Sequence, residues 1–274
     1  MSKQIIIGSR TFDLEKHSYV MGILNVTPDS FSDGGKFNQM EQCLKHAEEM
    51  IQDGAAILDV GGESTRPGYT QISDEEEIER VVPVIEALKK RFDIPISIDT
   101  YKAEVAKHAA AAGADLINDI WGLKYDDKMA QIVKNSGTAV CIMHNRKNTD
   151  YQDFLTDWKH DLEESISIAQ KAGIDEKKMI LDPGVGFAKT YEMNLQAIKH
   201  LEELHVYGYP LLLGTSRKSV IGLTLDLPVE EREEGTLATT VMAVMKGCQF
   251  IRVHDVKKNV RAIKMAEAVL YSDR

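Results

Sequence analysis

The sequence predicts an α/β fold, a (β/α)8 TIM barrel with a short N-terminal β-hairpin, and two observations carry that reading. Eight short apolar runs recur along the chain, each followed by a polar residue, a polar or glycine-rich loop and a helical pattern. Short strands that alternate with helices imply a parallel sheet covered by those helices. Length is the second observation: barrels of this class reach about 250 residues as one domain, and this chain has 274 residues with no linker or low-complexity stretch. The expected division is a single domain of residues 1–274, with the hairpin in 1–17 and the barrel in 18–274.

Each element follows from local pattern. Gln4 to Glu15 alternates around Gly8 and Ser9, as a hairpin does, and is expected to plug the barrel bottom. The strand runs are Val20 to Leu24, Ala56 to Leu58, Ile94 to Ile98, Leu116 to Ile117, Ala139 to Met143, Met179 to Leu181, Leu211 to Leu213 and Phe250 to Val253. Between them, Ser73 and Glu76 form a capping box ahead of Ile78, Val81, Val82 and Ile85. Thr100 to Ala112 is alanine-rich and helical, and Gly113 ends it. Asp153 to Ala172, Gly235 to Lys246 and Lys257 to Leu270 complete the helices. An open doubly wound sheet is the competing fold, but GILNVTPDSFSDGG after the first strand lacks its G-x-G-x-x-G fingerprint.

Composition narrows the function. Lys and Arg number 33 against 43 Asp and Glu, a net charge of −10. That balance argues against a nucleic-acid or anionic-membrane partner, and leaves room for a small basic pocket. Cys43, Cys141 and Cys248 have neither disulfide nor zinc spacing and read as buried thiols. With no signal peptide and no long apolar stretch, a soluble cytoplasmic protein is expected.

In such barrels chemistry sits at the C-terminal ends of the strands. Those positions hold Asn25, Asp59 with Glu63, Asp99, Asn118 with Asp119, His144, Asp182, Thr215 with Arg217 and Lys218, and Arg252 with His254. A polar residue at one strand end is an ordinary turn or helix cap. Eight in succession, including cations and a histidine, form a functional ring. Its carboxylates and carboxamides suit a flat hydrogen-bonding heterocycle. Lys218, Arg252, Arg66 and His254 suit phosphate or pyrophosphate. The loops Ser32 to Phe37 and Gly61 to Gly68 have the composition of lids. LDPGVGFAKT, from Leu181, places Phe187 to flank a ring.

Eight segments, in order over nearly the whole chain, together resemble the dihydropteroate synthase family of pterin-binding barrels. They are GILNVTPDSFSDGG from Gly22, LDVGGESTRPG from Leu58, SIDTYKAEVA from Ser97, GADLINDIWG from Gly113, LDPGVGFAKT from Leu181, LLGTSRKS from Leu212, GTLATTVMAVMKG from Gly235 and IRVHDV from Ile251. The resemblance implies a transferase of folate synthesis, in which a dihydropterin carrying a hydroxymethyl pyrophosphate combines with 4-aminobenzoate. It implies pterin contacts at Asp99, Asn118, Asp182 and Lys218, with Thr65 and Phe187 beside them. The pyrophosphate would meet Asn25, Arg66, Arg252 and His254, with Asn25 ligating a magnesium ion. The aminobenzoate would meet Phe31, Thr65, Pro67, Lys218 and Ser219. Asp99, Lys218, Arg252, His254, Asp33 and Arg66 would be the catalytic set. A homodimer through the last two helices and sensitivity to sulfonamide mimics are further implications. Asp59, Glu63, Asp119 and His144 are left as supports.

Two other activities share parts of this pattern. Methyl transfer from a reduced folate to a corrinoid protein would use Asn118 and Asp182 equally, but has no need of the Arg252 and His254 anion pair. A pterin-storage protein would bind without turnover.

Overall fold

The computed structural model describes residues 4–26, 36–63 and 71–272. It opens with strands β1 (Gln4–Ile7) and β2 (Arg10–Asp13), paired antiparallel. Gly8 makes their turn at φ +59°, where a Cβ would lie 2.4 Å from the Asp115 carboxylate. Only glycine fits that backbone and that approach.

The barrel follows as β3 (Tyr19–Asn25), α1 (Lys36–Gln52), β4 (Ile57–Gly61), α2 (Asp74–Arg91), β5 (Ile96–Asp99), α3 (Ala103–Ala111), β6 (Leu116–Asp119), α4 (Met129–Ser136) and β7 (Ala139–Met143). It continues through α5 (Phe154–Ala172), β8 (Met179–Asp182), α6 (Tyr191–Lys199), β9 (Leu212–Leu213), α7 (Ser219–Leu225), α8 (Glu233–Met245), β10 (Phe250–Val253) and α9 (Val256–Leu270). The strands β3 to β10 pair in parallel, in the order β8-β7-β6-β5-β4-β3-β10-β9. A parallel bridge between Leu181 and Leu211 joins the two ends, with Leu181 N donating to Pro210 O at 2.9 Å. The eight-stranded sheet therefore closes on itself.

All eight expected strands form; Ala139 to Met143 and Phe250 to Val253 keep their limits and the other six shift. The Ile94 to Ile98 run begins pairing only at Ile96, because Pro95 has no N–H to donate. The Thr100 to Ala112 helix starts at Ala103, since Thr100 N still donates across the strand ends to Asn118 O. At Ser73 the cap is half of the expected box. Its hydroxyl accepts from Glu76 N, while the Glu76 side chain turns instead to Arg80.

Burial is organised in two shells. Val60, Ile98, Ile117, Val140 and Leu181 face outward into the helix layer. Inside the bottom of the barrel, Ile5, Ile7, Phe12 and Leu14 of the hairpin pack against Met21, Ile57, Leu116, Cys141, Ile180, Leu212 and Phe250. The hairpin thus plugs the barrel, as its alternation predicts. The three thiols are free and buried.

Candidate active site

The period-two alternation of a strand decides which residues enter the site. Ile57, Leu116, Ile180 and Phe250 point inward onto the hairpin. Two residues further along each strand lie Asp59, Asn118, Asp182 and Arg252, on the same inner face and one layer nearer the mouth. β5 contributes Asp99 at the same level. The functional ring is therefore one inward layer, and it is buried: Asp59 is fully shielded and Asn118 only 3% exposed.

Arg252 sits at its centre. Its Nε donates to Asp59 Oδ2 at 2.6 Å and its Nη2 to Asp99 Oδ2 at 2.5 Å. Burial opposes the guanidinium charge, but the two carboxylates outweigh it and hold the pKa above the usual arginine value. Asp59 Oδ2 also accepts from Asn118 Nδ2 at 3.3 Å, which leaves the Asn118 carbonyl oxygen as an acceptor for a ligand. Asp59 Oδ1 and Asp99 Oδ1 are buried without a hydrogen-bond partner. Leaving such an oxygen unpaired costs about 1–3 kcal/mol, so two of them on one wall mark where a donor-rich ligand belongs.

Asp182 and Lys218 form the opposite wall. Asp182 Oδ1 accepts from Gly184 N at 2.7 Å. Burial raises the Asp182 pKa, with Lys218, the Gly184 N–H and Arg252 opposing the rise. Asp99 is likewise raised by burial, against the pull of Arg252. Lys218 lies over the Phe187 ring at 4.9 Å from its centroid and donates to Val185 O. Burial brings its pKa down to about 8, opposed mainly by Asp182. At Gly214 a Cβ would sit 3.7 Å from Arg252 Cβ and 4.0 Å from Asp182 Oδ2, so that glycine keeps the two walls in reach of each other. Asn25 joins the rim. Its Oδ1 would lie 3.3 Å from a Cβ on Gly61, with Asp99 Oδ2 at 3.9 Å from the same point.

The remaining expected residues divide. His254 is near the ring but engaged: Ser216 Oγ is 2.9 Å from its Nδ1 and accepts from its backbone N–H. Ser219 is exposed at the start of α7. Phe31, Asp33, Thr65, Arg66 and Pro67 lie outside the described residues. Among the described residues, no three His, Cys, Asp or Glu side chains converge as a metal cage.

The four residues left as supports hold the site in different ways. Asp59 belongs to the inner layer itself. Asp119 accepts from Trp121 N and Leu123 N and shapes the β6–α4 turn. His144 turns away from the mouth toward Asp161, 3.0 Å from its Nε2. Glu63 ties the two ends of the β4–α2 connection, accepting from Ile72 N at 3.1 Å and from Lys102 Nζ at 2.6 Å. Lys102 also reaches Ile72 O at 2.8 Å and Glu77 at 2.8 Å, and Tyr101 donates to Glu63 at 2.6 Å.

Tyr101, Lys102 and Lys189 are not among the residues expected from the sequence, because their partners, Glu63 for the first two and His144 for the third, are distant along the chain. The signal for Lys102 was available: a lysine between Tyr101 and Ala103 at a helix start is an odd choice unless an acid is buried beside it. It is 3% exposed, which only paired charges tolerate.

Known proteins share this sequence and fold. The family described as "Pterin binding enzyme" matches residues 21–254. The dihydropteroate synthase of Clostridium beijerinckii is 59% identical over 265 residues, covering 96% of this chain and 98% of its own. A crystal structure of the Clostridium difficile dihydropteroate synthase in the presence of pteroic acid superposes with a TM-score of 0.92 at 49% identity, over 95% of this chain and 99% of that one. The Yersinia pestis dihydropteroate synthase in complex with a sulfonamide drug gives 0.91 at 45% identity, over 98% and 100%.

Proposed function

This chain belongs to the pterin-binding enzyme family, within its dihydropteroate synthases, and from that premise we propose how its strand ends serve the reaction. The chain is a transferase. It condenses (7,8-dihydropterin-6-yl)methyl diphosphate with 4-aminobenzoate to give 7,8-dihydropteroate and pyrophosphate, in folate synthesis. The bond broken joins the methylene carbon to a diphosphate oxygen. The bond formed joins that carbon to the amine nitrogen, which then gives up a proton.

One observation carries the assignment of roles: Asp182 is buried, with a described hydrogen bond from Gly184 N to Oδ1 that leaves its carboxylate able to accept a donor pair, and it faces a ring in which Arg252 is shared between Asp59 and Asp99. A pterin edge offers an amino group and a ring N–H side by side. Asp182 accepts that pair, and Asn118 and Asp99 meet the ring beside it. Phe187 and Lys218 cover the ring from the β8 and β9 loops. A pocket built to pair with such an edge rejects analogues that lack it by a factor on the order of 10⁴.

Arg252, His254, Arg66 and Asn25 receive the diphosphate. Magnesium neutralises charge on the departing pyrophosphate when bound. The Asn25 carboxamide oxygen fits it, since this hard cation favours oxygen ligands and takes most of the rest from phosphate and water. Positive charge left on the methylene carbon spreads into the pterin and faces Asp99, a preorganised anion of the kind that contributes about 3–4 kcal/mol. Phe31, Thr65, Pro67, Lys218 and Ser219 are the contacts of the aminobenzoate, and Asp33 belongs to the catalytic set. Its amine is neutral at pH 7 and needs no strong base. Sulfonamides compete for the same place.

Pyrophosphate release on mixing both substrates, with and without magnesium, tests the reading. Release that depends on both substrates and on the metal supports it; no release overturns it. Positional isotope exchange in the diphosphate, without the amine, tests the dissociative step.

The assembly we propose is a cytoplasmic homodimer of single-domain chains. No helix among the described residues is long and apolar enough to cross a membrane. Met242 and Met245 of α8 and Met265, Val269 and Leu270 of α9 are exposed apolar side chains on adjacent helices. Sedimentation of the wild type and of Met245→Glu with Met265→Glu checks it: the pair of charges should leave a monomer.

A further inference from the structure

The turn after β8 follows Asp182 and carries Phe187; its own backbone closes it with Phe187 N donating to Gly184 O at 3.2 Å, a single bond that leaves most of it to be held otherwise. Side chains hold it. Trp158 Nε1 donates to Pro183 O at 3.0 Å, Lys218 Nζ to Val185 O and Tyr151 OH to Ala188 O at 3.0 Å. Of the carbonyls between them, those of Gly184 and Phe187 both go to Lys189 Nζ, at 2.9 and 3.1 Å. The third contact of that nitrogen is His144 Nδ1 at 2.8 Å.

Three acceptors match the three N–H bonds of an ammonium. His144 must then offer Nδ1 as a lone pair, so its Nε2–H donates to Asp161 Oδ2 at 3.0 Å. Arg146 completes the set, its Nε 2.9 Å from the same Asp161 oxygen. The packing leaves no slack. Gly184 has φ +70°, and a Cβ there would come 1.9 Å from His144 O and 3.2 Å from Lys189 Nζ. Ala188 also adopts a positive φ, +43°, a strained choice for a residue with a side chain. A lysine that folds back to bond the carbonyls of Gly184 and Phe187 is what keeps the turn in that shape.

We infer that Lys189, oriented by His144 and Asp161, is a positioning residue for pterin binding: it fixes the β8–α6 turn so that Asp182, Phe187 and the Val185 carbonyl under Lys218 face one ligand plane. This rests on the pterin role given above to Asp182. Lys189 acts through the turn, so it bears first on affinity for the pterin, and it reaches the aminobenzoate side only through Lys218 on Val185 O. Burial lowers the Lys189 pKa well below the usual lysine value, with Lys218 adding to the fall, and Asp182 and Asp161 oppose it. The acid–base pairing with Asp182 therefore runs both ways: the ammonium helps to keep that carboxylate ionised.

Lys189→Met keeps the volume and removes all three bonds. Lys189→Gln keeps two N–H bonds and removes the charge. Binding of the pterin diphosphate, read by its fluorescence, should weaken about tenfold or more in Lys189→Met and less in Lys189→Gln. The KM for 4-aminobenzoate should change clearly less than pterin affinity in both, since Lys218 is the one contact through which the turn reaches it. If Lys189→Met melts too low to assay, Lys189→Gln alone decides, by the same split between the two substrates. Wild-type pterin affinity in a folded variant overturns the inference, and so does an equal loss toward both substrates. A wild-type protein that binds no pterin overturns the pterin reading itself, which separates the two failures.

Discussion

Asp182 and Lys218 sit on one wall of the pocket with opposite charges, each made less comfortable by burial. Asp182→Ala and Lys218→Ala should each cut kcat/KM by about 10²–10³, the usual cost of removing one preorganised group, with little change in melting temperature. Wild-type rates in both would refute the assignment. Lys218 also sets a pH limit. Its pKa is depressed to about 8, so kcat/KM should fall as pH rises through that value and the ammonium is lost. Lys218→Arg should abolish that limb, because guanidinium stays charged. The stability sign is the opposite one. A buried lysine with a lowered pKa costs the fold its full penalty below about 8, and the penalty fades as pH rises toward the unfolded value of 10.5.

At the scale of elements, turns and clamps do the work that strands cannot. Gly184→Ala would force a Cβ against the His144 carbonyl at a left-handed backbone position, and should destabilise by about 3 kcal/mol or more in urea unfolding. Lys102→Met would strand Glu63 and Glu77, whose carboxylates share that ammonium. Breaking a buried pair from one side costs about 3–5 kcal/mol. Lys102→Met with Glu63→Gln should recover part of it, a coupling that a double-mutant cycle measures. These elements also show where the sequence was legible. Strand ends were, because period two and a polar residue after an apolar one are local signals: Asp99, Asn118, Asp182 and Arg252 all fall in the inward layer. Direction beyond the strand end was not. His144 and Asp119 follow the same pattern, yet one turns toward Asp161 and the other caps its own loop. Lys102 and Lys189 meet partners 39 and 45 residues away, which no local pattern records.

For the whole molecule, closure and plugging govern stability. Phe12 packs edge-on against Tyr19 and Phe250, with ring centroids at 4.9 and 5.6 Å. Phe12→Ala should therefore cost about 3–5 kcal/mol, seen as a lower denaturation midpoint. Turnover at permissive temperature should largely persist, since the hairpin packs on Ile180 and Phe250, one layer below Asp182 and Arg252. That plug has another consequence. A tube stoppered at its base has one doorway, so arrivals must queue in order of depth. Asn118 and Asp182 lie at the innermost reach of the ring, while Ser219 stands at the threshold. On the placement proposed above, with the pterin at Asn118 and Asp182, the pterin has to enter first and, as part of the finished product, leave last. Whatever waits at the sill bars the way behind it, so an early aminobenzoate would delay its own partner, and excess of it should slow the first turnover rather than hasten it.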